Sequence, residues 1–259
     1  MSYAEVNGLP LYFEEHGSGE PLILLHGGLG AGEMFAPLVP ALSEHRRVIL
    51  VDLQGHGRTA DVDRPLRPEL MADDIAALIK HLGAEQADLL GYSMGAGVAL
   101  RVAVQHPRVV RRLVVVSMPC RRDGWHPEVV AAMDRTSAQA AVMMKQSPAY
   151  EAYSRLAPRP QDWPVLVGKT AELVQRDYDW SAEIPAVTAP TLLVFADADA
   201  IRPAHMVEFY ALLGGGLKDA GFDGSDRSTA QLAVLPGASH YDILAHPALT
   251  ATVTPFLAS

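Results

Sequence analysis

The chain has 259 residues, of which 49% are hydrophobic and 20% charged, and its formal net charge is −9. This composition excludes a disordered, collagen-like or coiled-coil chain, and the acidic balance argues against a nucleic-acid partner. The single cysteine, Cys120, excludes an internal disulfide and a multi-thiolate metal site. No apolar run reaches the roughly 18 residues of a membrane span, and the first residues lack the pattern of a secretory signal. We therefore expect a cytoplasmic globular protein with no membrane partner.

Short apolar runs bounded by turn residues alternate along the chain with segments of helical periodicity. Residues 3–6 and 11–14, joined through Asn7 and Gly8, predict an antiparallel hairpin at the edge of a sheet. The runs that follow are unbroken and short, which is typical of strands buried on both faces of a parallel sheet. They are residues 22–25, 48–51, 87–90, 113–116, 191–195 and 232–235.

Three segments between these runs predict helices. Residues 69–82 end before Gly83, a plausible C-cap, and residues 94–105 are rich in alanine and valine. Residues 203–213 open on a proline, which is favoured in the first turn of a helix. The alternation of strands and helices predicts an α/β fold with right-handed crossovers.

Two segments break this alternation. Residues 121–185 contain no convincing strand and carry many methionine and aromatic residues among helix-like stretches. We interpret them as a helical insertion between two strands of a core formed by residues 1–120 and 186–259. Residues 214–228 are rich in glycine and aspartate and predict a solvent loop.

The strongest motif is a G-x-S-x-G sequence centred on Ser93. It lies between the predicted strand 87–90 and the predicted helix 94–105, where a sharp turn strains the serine backbone and exposes the hydroxyl. The N-terminus of the helix directs N–H groups at any negative charge that forms there. The alternative is a glycine-rich turn with a bystander serine, but the strand–turn–helix context favours a nucleophile.

A nucleophilic serine needs a base and an acid that orients the base, which follow in the order serine, acid, histidine in this architecture. Asp199 comes just after the predicted strand 191–195, and His240 just after 232–235. Both residues stand at the carboxyl ends of strands, the edge at which open α/β sheets bind ligands. Asp197 is the alternative acid.

These motifs resemble those of the α/β-hydrolase superfamily over nearly the whole chain outside residues 121–185. The resemblance implies an α/β-hydrolase fold, with a mostly parallel eight-stranded sheet flanked by helices and an inserted helical cap. The family's D-x-D-x-x-x-P loop fits residues 197–203 and makes Asp199 the acid of a catalytic triad with Ser93 and His240. The family's P-G-x-x-H segment fits residues 236–240.

The resemblance also implies an oxyanion hole and several structural residues. The family's H-G-x loop maps to residues 26–28, so the backbone N–H groups of Gly28 and Met94 are the expected oxyanion donors, and His26 braces the loop. Residues 52–59 fit a turn of the pattern D-x-x-G-x-G-x-S/T that the family carries after a strand. We expect no catalytic role for His56 in this turn. Position 54 is glutamine, where many relatives have arginine.

The function that follows is a serine hydrolase that cleaves a small carboxylic ester or lactone through an acyl-enzyme, with no cofactor and no metal. Alternatives within the family are enol-lactonases, carbon–carbon bond hydrolases, perhydrolases, a lyase and acyl transferases; a ligand-sensing receptor is an alternative of another class. Serine at the nucleophile position argues against dehalogenases and epoxide hydrolases.

Residues 168–170 resemble part of a phosphate-binding loop, but that motif is excluded because Trp163 stands where it requires a glycine. We expect Cys120 to be buried and inert, and the sequence leaves the substrate and the oligomeric state open.

Overall fold

The computed structural model describes residues 2–258 and contains one eight-stranded sheet with the strand order β1-β2-β4-β3-β5-β6-β7-β8. The β1–β2 hairpin is antiparallel, β2 is also antiparallel to β4, and the remaining neighbours are parallel. The predicted eight-stranded, mostly parallel α/β-hydrolase fold is therefore confirmed. The strands are β1 (Ser2–Val6), β2 (Leu9–His16), β3 (Glu20–Leu25), β4 (Arg46–Val51), β5 (Ala87–Tyr92), β6 (Val110–Val116), β7 (Thr191–Ala198) and β8 (Ala230–Ser239).

Helices cover both faces of this sheet. The three predicted helices are present as α2, α3 and α8, and the short α1 was not predicted. The helices are α1 (Val39–Leu42), α2 (Pro68–His81), α3 (Met94–Gln105), α4 (Pro127–Arg135), α5 (Ala140–Met143), α6 (Pro148–Leu156), α7 (Trp163–Gln175), α8 (Pro203–Leu212) and α9 (Pro247–Ala258). No helix within residues 2–258 is long and apolar enough to cross a membrane.

The central strands are apolar on both faces because each face packs against helices. Ile23 and Leu25 of β3 belong to a buried cluster that includes side chains of α2 and α3. Leu22 and Leu24 alternate with them and belong to a second cluster that includes side chains of α9. This explains why the sequence runs read as unbroken apolar stretches.

Residues 121–185 form helices α4 to α7 with 3-10 turns between them. The two ends of this helical segment lie side by side, because Arg121 pairs with Asp179 in a β-bridge and the Trp180 N–H donates to the Cys120 carbonyl over 3.0 Å. Trp163 is buried inside the segment, where its indole N–H donates to the Ala141 carbonyl. The segment thus leaves the sheet after β6 and returns to it before β7.

Candidate active site

Ser93 occupies a sharp turn between β5 and α3. Its φ angle is 51°, in the left-handed region that non-glycine residues rarely adopt, and its N–H donates to the Val116 carbonyl of β6 over 2.9 Å. A Cβ atom at Gly91 would overlap the backbone of Gly95, and a Cβ atom at Gly95 would overlap the carbonyl oxygen of Leu25. Both glycines of the motif are therefore required by the close approach of α3 to the sheet.

Ser93, His240 and Asp199 form a chain of hydrogen-bonded side chains. Ser93 Oγ lies 3.2 Å from Nε2 of His240, and Nδ1 of His240 lies 3.0 Å from Oδ1 of Asp199. Because a carboxylate can only accept, Nδ1 carries the proton and Nε2 is left to accept from the serine hydroxyl. His240 and Asp199 are each 8% exposed, so water screens their interaction little.

Two further groups hold the Asp199 carboxylate. Ser117 Oγ donates to Oδ2 of Asp199 over 2.6 Å, and the Ala196 N–H donates to the same oxygen over 3.0 Å. Burial by itself would raise the pKa of Asp199, but the hydrogen bonds from His240, Ala196 and Ser117 outweigh burial and lower it below its usual value. The carboxylate therefore stays ionised and keeps the imidazole oriented.

Sequence reasoning missed Ser117, which stands directly after β6 at the carboxyl edge of the sheet. It also missed Tyr92, whose hydroxyl donates to the His240 carbonyl over 2.6 Å, and Trp125, whose ring centroid lies 5.5 Å from that of His240. A polar residue at the end of a buried strand is a signal that could have found Ser117. Trp125 carries no such signal, because its contact depends on the packing of the helical segment.

Gly28 and Met94, whose backbone N–H groups are the expected oxyanion donors, line the same cavity as Ser93. Among residues 2–258 no acceptor is found for either N–H. Gly28 follows β3, and Met94 is the first residue of α3. The two amides thus have no acceptor among these residues, and their role as an oxyanion hole stays a prediction.

Two buried histidines hold the loop that contains Gly28. His26 accepts from the Leu53 N–H through Nε2 over 3.0 Å and donates through Nδ1 to the carbonyl of Gly27 over 2.7 Å. His56 accepts from the Leu29 N–H through Nε2 over 3.1 Å. Both rings are neutral in this arrangement, since a protonated Nε2 could not accept. Burial lowers the pKa of His26 to about 4, and burial together with the neighbouring His26 lowers that of His56 to about 3.

Other candidate residues have bonding partners outside the Ser93 chain. Asp197 accepts from the Gly237 N–H over 3.0 Å, and the Lys169 ammonium pairs with Asp61 over 2.5 Å. Cys120 is fully buried, and burial raises the pKa of its thiol to about 11, which keeps the thiol protonated. Gln54 bonds to the Arg64 side chain and carbonyl, so it takes part in local loop pairing. Within residues 2–258, no group of three or more histidine, cysteine or acidic side chains is placed to hold a metal ion.

Ser93 and His240 line a cavity of about 600 Å³ whose wall also includes residues of the helical segment. Its wall is mostly apolar, and α4, α5 and α7 contribute much of it. The residues that line it from the helical segment are Trp125, Val129, Ala132, Met133, Thr136, Ala140, Met144, Val167, Thr170, Leu173, Val174, Arg176, Tyr178 and Trp180. The volume lies within the range of sites that enclose a small organic ligand.

Comparison of the sequence with those of known proteins shows which family the chain belongs to. The model of the alpha/beta hydrolase fold matches residues 20–139. A protein of Azorhizobium caulinodans named "Putative carbamate hydrolase RutD" is 30% identical over 244 residues, which span 85% of this chain and 88% of that protein. The chain belongs to the α/β-hydrolase family. This α/β hydrolase is also 37% identical over 134 residues, 47% of the chain and 49% of the relative, to the pimeloyl-[acyl-carrier protein] methyl ester esterase of Aeromonas hydrophila. Its relatives indicate that it is an enzyme, a hydrolase.

Solved structures agree with this α/β-hydrolase assignment at the level of the fold. The enol-lactonase from Burkholderia xenovorans LB400 has a TM-score of 0.73 and 24% identity, with 99% of this chain and 100% of that chain covered. E-2-(Acetamidomethylene)succinate hydrolase has a TM-score of 0.77 and 23% identity, with 99% and 98% covered. At such identities the likeness concerns the fold alone.

Proposed function

We propose that this α/β hydrolase cleaves a small carboxylic ester or lactone through an acyl-enzyme on Ser93. One observation carries the proposal: the hydrogen-bonded chain from Asp199 through His240 to Ser93 opens on an apolar cavity. The presence of Gly28 and Met94 in the wall of the same cavity supports it, because acyl transfer needs backbone donors where negative charge develops.

The first half of the reaction forms the acyl-enzyme. Ser93 Oγ attacks the acyl carbonyl carbon while its proton passes to Nε2 of His240, and Asp199 stabilises the resulting imidazolium. The carbonyl oxygen becomes an oxyanion, which accepts from the Gly28 and Met94 N–H groups. The tetrahedral intermediate collapses, the alkoxide leaves, and His240 returns the proton to it. In a lactone the leaving alcohol stays attached to the acyl group.

The second half releases the acid. A water molecule takes the place of the leaving alcohol, gives one proton to Nε2 of His240 and adds its oxygen to the acyl carbon. Collapse of the second intermediate breaks the bond to Ser93 Oγ, which recovers its proton from His240. The carboxylic acid then leaves and the enzyme is restored.

We further infer that residues 121–185 act as a cap that selects the substrate, inserted into a core of residues 1–120 and 186–259. The cavity wall supports this division, since the core supplies Ser93 and His240 while residues 121–185 as a whole supply most of the apolar lining. An apolar wall favours an uncharged acyl or alcohol group. The expected partner is accordingly a small neutral molecule.

Covalent labelling tests the nucleophile. A fluorophosphonate should attach once to the wild-type protein, with peptide mapping at Ser93, and S93A should remain unlabelled. Turnover of p-nitrophenyl acetate should fall about 10⁴-fold or more in S93A. The exposed Ser225 supplies the matched control, and S225A should keep wild-type values. Wild-type turnover by S93A, or a label on another residue, would contradict the proposal.

A substrate panel tests the reaction class. Matched esters, lactones, carbamates and a vinylogous diketone should be compared by kcat/KM. We expect the highest values for an ester or lactone. The carbamate is included because the relative from Azorhizobium caulinodans carries that activity in its name. A diketone preferred over every ester and lactone would replace the proposal with carbon–carbon bond hydrolysis.

A further inference from the structure

Trp125 joins the start of the helical segment to the loop that carries Asp199. It follows β6 and precedes α4, and it pairs with Ile201 in an antiparallel β-bridge. The next residue, His126, donates its N–H to the Ala200 carbonyl over 2.9 Å. The backbone around Trp125 therefore runs along the residues that directly follow Asp199, and hydrogen bonds fix its place relative to that loop.

The side chain of Trp125 connects His240 with the other end of the helical segment. Its ring and the His240 imidazole have centroids 5.5 Å apart and planes inclined at 68°, an edge-to-face arrangement that aromatic pairs favour. Its indole N–H donates to the Tyr178 hydroxyl over 3.0 Å. Tyr178 follows α7, and burial raises the pKa of its hydroxyl, which therefore stays neutral. Because Trp125 is only 6% exposed, the indole has little room to turn.

The imidazole of His240 needs such a neighbour because its hydrogen bonds restrain it incompletely. A ring nitrogen donates and accepts along directions in the plane of the ring. The bonds to Asp199 and Ser93 therefore oppose sliding within that plane, but they resist rotation about the line through the two nitrogens only weakly. Packing against the ring supplies the missing restraint.

Three aromatic rings surround the imidazole, and they differ in how they are held. The Tyr92 ring centroid lies 5.5 Å from that of His240, and the Tyr92 hydroxyl is bonded to the His240 carbonyl, so both contacts belong to the core. The Tyr241 centroid lies 5.4 Å away, but this residue is 85% exposed and free to move. Trp125 is the buried ring that the helical segment contributes. It is therefore the contact through which that segment can act on the base.

We propose that Trp125 is a positioning residue that keeps the His240 imidazole aligned between Asp199 and Ser93, and that Tyr178 keeps Trp125 in place. The inference rests on the proposed function and adds to it, because the helical segment then contributes to the chemical step as well as to the cavity wall. Trp125 acts through His240 in this account, and the proton passes only between Ser93 and His240.

Substitutions of the Trp125 ring test the inference. W125L removes the ring, and we expect kcat on p-nitrophenyl acetate to fall about tenfold or more with KM changed less than about threefold, since small misalignments of a base are costly. W125F keeps a ring and should retain more of kcat than W125L. Leu173 lines the same cavity from α7, and L173A is the control for cavity size, which should keep the wild-type kcat.

The hydrogen bond between the indole and Tyr178 is tested from its two sides. W125F and Y178F each remove it while keeping a ring, so each should lower kcat by about two- to tenfold, and the double variant should be no slower than W125F alone. Y178F carries this comparison even if the loss of the large ring in W125L prevents folding, a case that thermal unfolding identifies. Additive losses in the double variant would show that Tyr178 does not act through Trp125.

A spectroscopic signature gives a readout that does not depend on turnover. The Nδ1 proton of His240, held against Asp199 and screened from water, should give a downfield proton resonance in protein that carries 15N-labelled histidine, and H240Q assigns it. We expect this resonance to persist in L173A. In W125L it should broaden or disappear, because the imidazole moves and the proton exchanges with water.

Failure of the inference and failure of the proposed function give different results. Wild-type kcat in W125L would overturn the inference, and a rise in KM alone would make Trp125 a substrate contact instead. A loss of kcat in W125L with an unchanged Nδ1 resonance would also overturn it, since the imidazole would not have moved. If wild type hydrolyses no ester and Ser93 resists labelling, the proposed function fails, and the resonance still decides whether Trp125 holds His240.

Discussion

Asp199 is a buried carboxylate with three hydrogen-bond donors of three kinds: an imidazole, a backbone amide and a hydroxyl. The imidazole is the one that the proposed reaction uses, and the other two fix the carboxylate. Of these two, the hydroxyl of Ser117 can be removed by substitution. Hydrogen bonds to a charged group contribute about 1.5–3 kcal/mol, so the effect of removing one should be measurable.

We predict that S117A lowers kcat about tenfold or more with little change in KM. Loss of the hydroxyl raises the pKa of Asp199 and loosens the orientation of the His240 imidazole. S117G is the matched variant, because the φ angle of Ser117 is 52° and glycine adopts this angle without strain. Kinetics of both variants on p-nitrophenyl acetate provide the measurement. Recovery of kcat in S117G would assign the defect to the backbone rather than to the hydroxyl.

The positions of Ser117 and Thr170 near Ser93 and Asp199 were not predicted from the sequence. Ser93, Asp199 and His240 were found because each follows a recognisable strand within a motif, and the structure brings all three together. Their catalytic roles stay predictions. Thr170 was noted only as part of a rejected phosphate loop, since nothing in its neighbours shows which face of α7 turns toward Ser93. Such facts depend on contacts between distant parts of the chain.

At the scale of elements, the decisive contact is between the start of α3 and the end of β3. The helix begins so close to this strand that a single Cβ atom at Gly95 would overlap the carbonyl oxygen of Leu25. The backbone of α3 can approach in this way only because the residue facing the strand has no side chain. This approach brings the start of α3 against the carbonyls of Leu25 and His26, at the beginning of the loop that contains Gly28.

We predict that G95A destabilises the protein by about 3 kcal/mol or more, because backbone atoms must shift to admit the methyl group. Gly168 of α7 is the control, since a Cβ atom there would meet only Ala138 Cβ at 3.5 Å, an ordinary contact. G168A should stabilise by about 0.5–1 kcal/mol through higher helix propensity. Thermal unfolding of both variants gives the comparison. Equal Tm values for the two would refute the steric argument.

The strands were more predictable than the helical segment for a physical reason. The fully buried parts of strands such as β3 and β6, residues 22–25 and 113–116, are apolar at every position, so they can be recognised without knowing their neighbours. The helices of residues 121–185 pack partly against one another and partly against the cavity. Some of their apolar residues therefore pack between helices and others line the cavity, and the periodicity of the sequence does not distinguish the two groups. The helical character was foreseeable, but the arrangement was not.

For the molecule as a whole, two neutral histidines join loops from separate strands. His26 after β3 is bonded to Leu53 after β4, while His56 in the loop after β4 is bonded to Leu29 in the loop after β3. The ring centroids lie 5.0 Å apart. Protonation of either ring would remove an acceptor and place a charge in the interior, so the native state resists it.

We predict that acid destabilises the protein from about pH 6.5 downward. In the folded state the pKa values of His26 and His56 are lowered from 6.5 to about 4 and about 3, so over this range the unfolded chain binds more protons than the native state. Stability is fully present above pH 6.5 and falls by about 1 kcal/mol per pH unit for each histidine as the pH decreases toward these values. Urea unfolding between pH 4.5 and 7.5 measures the slope.

Variants assign this slope to individual residues. H56Q keeps an oxygen that can accept from the Leu29 N–H but cannot be protonated in this pH range. The slope of its unfolding free energy against pH should therefore be smaller by the contribution of one histidine. His45 is exposed and supplies the control, and H45Q should keep the wild-type slope. An unchanged slope in H56Q would place the acid sensitivity elsewhere.

The bond from the Tyr92 hydroxyl to the His240 carbonyl has a mechanical consequence. Tyr92 precedes Ser93, so covalent bonds and two hydrogen bonds join Ser93, His240 and Tyr92 in a closed ring. The loop after β8 cannot drift away from the end of β5 without breaking the 2.6 Å bond at Tyr92. We therefore expect the thermal motions of the two loops to be coupled, so that the gap between the Ser93 hydroxyl and the His240 imidazole varies less than the position of either loop.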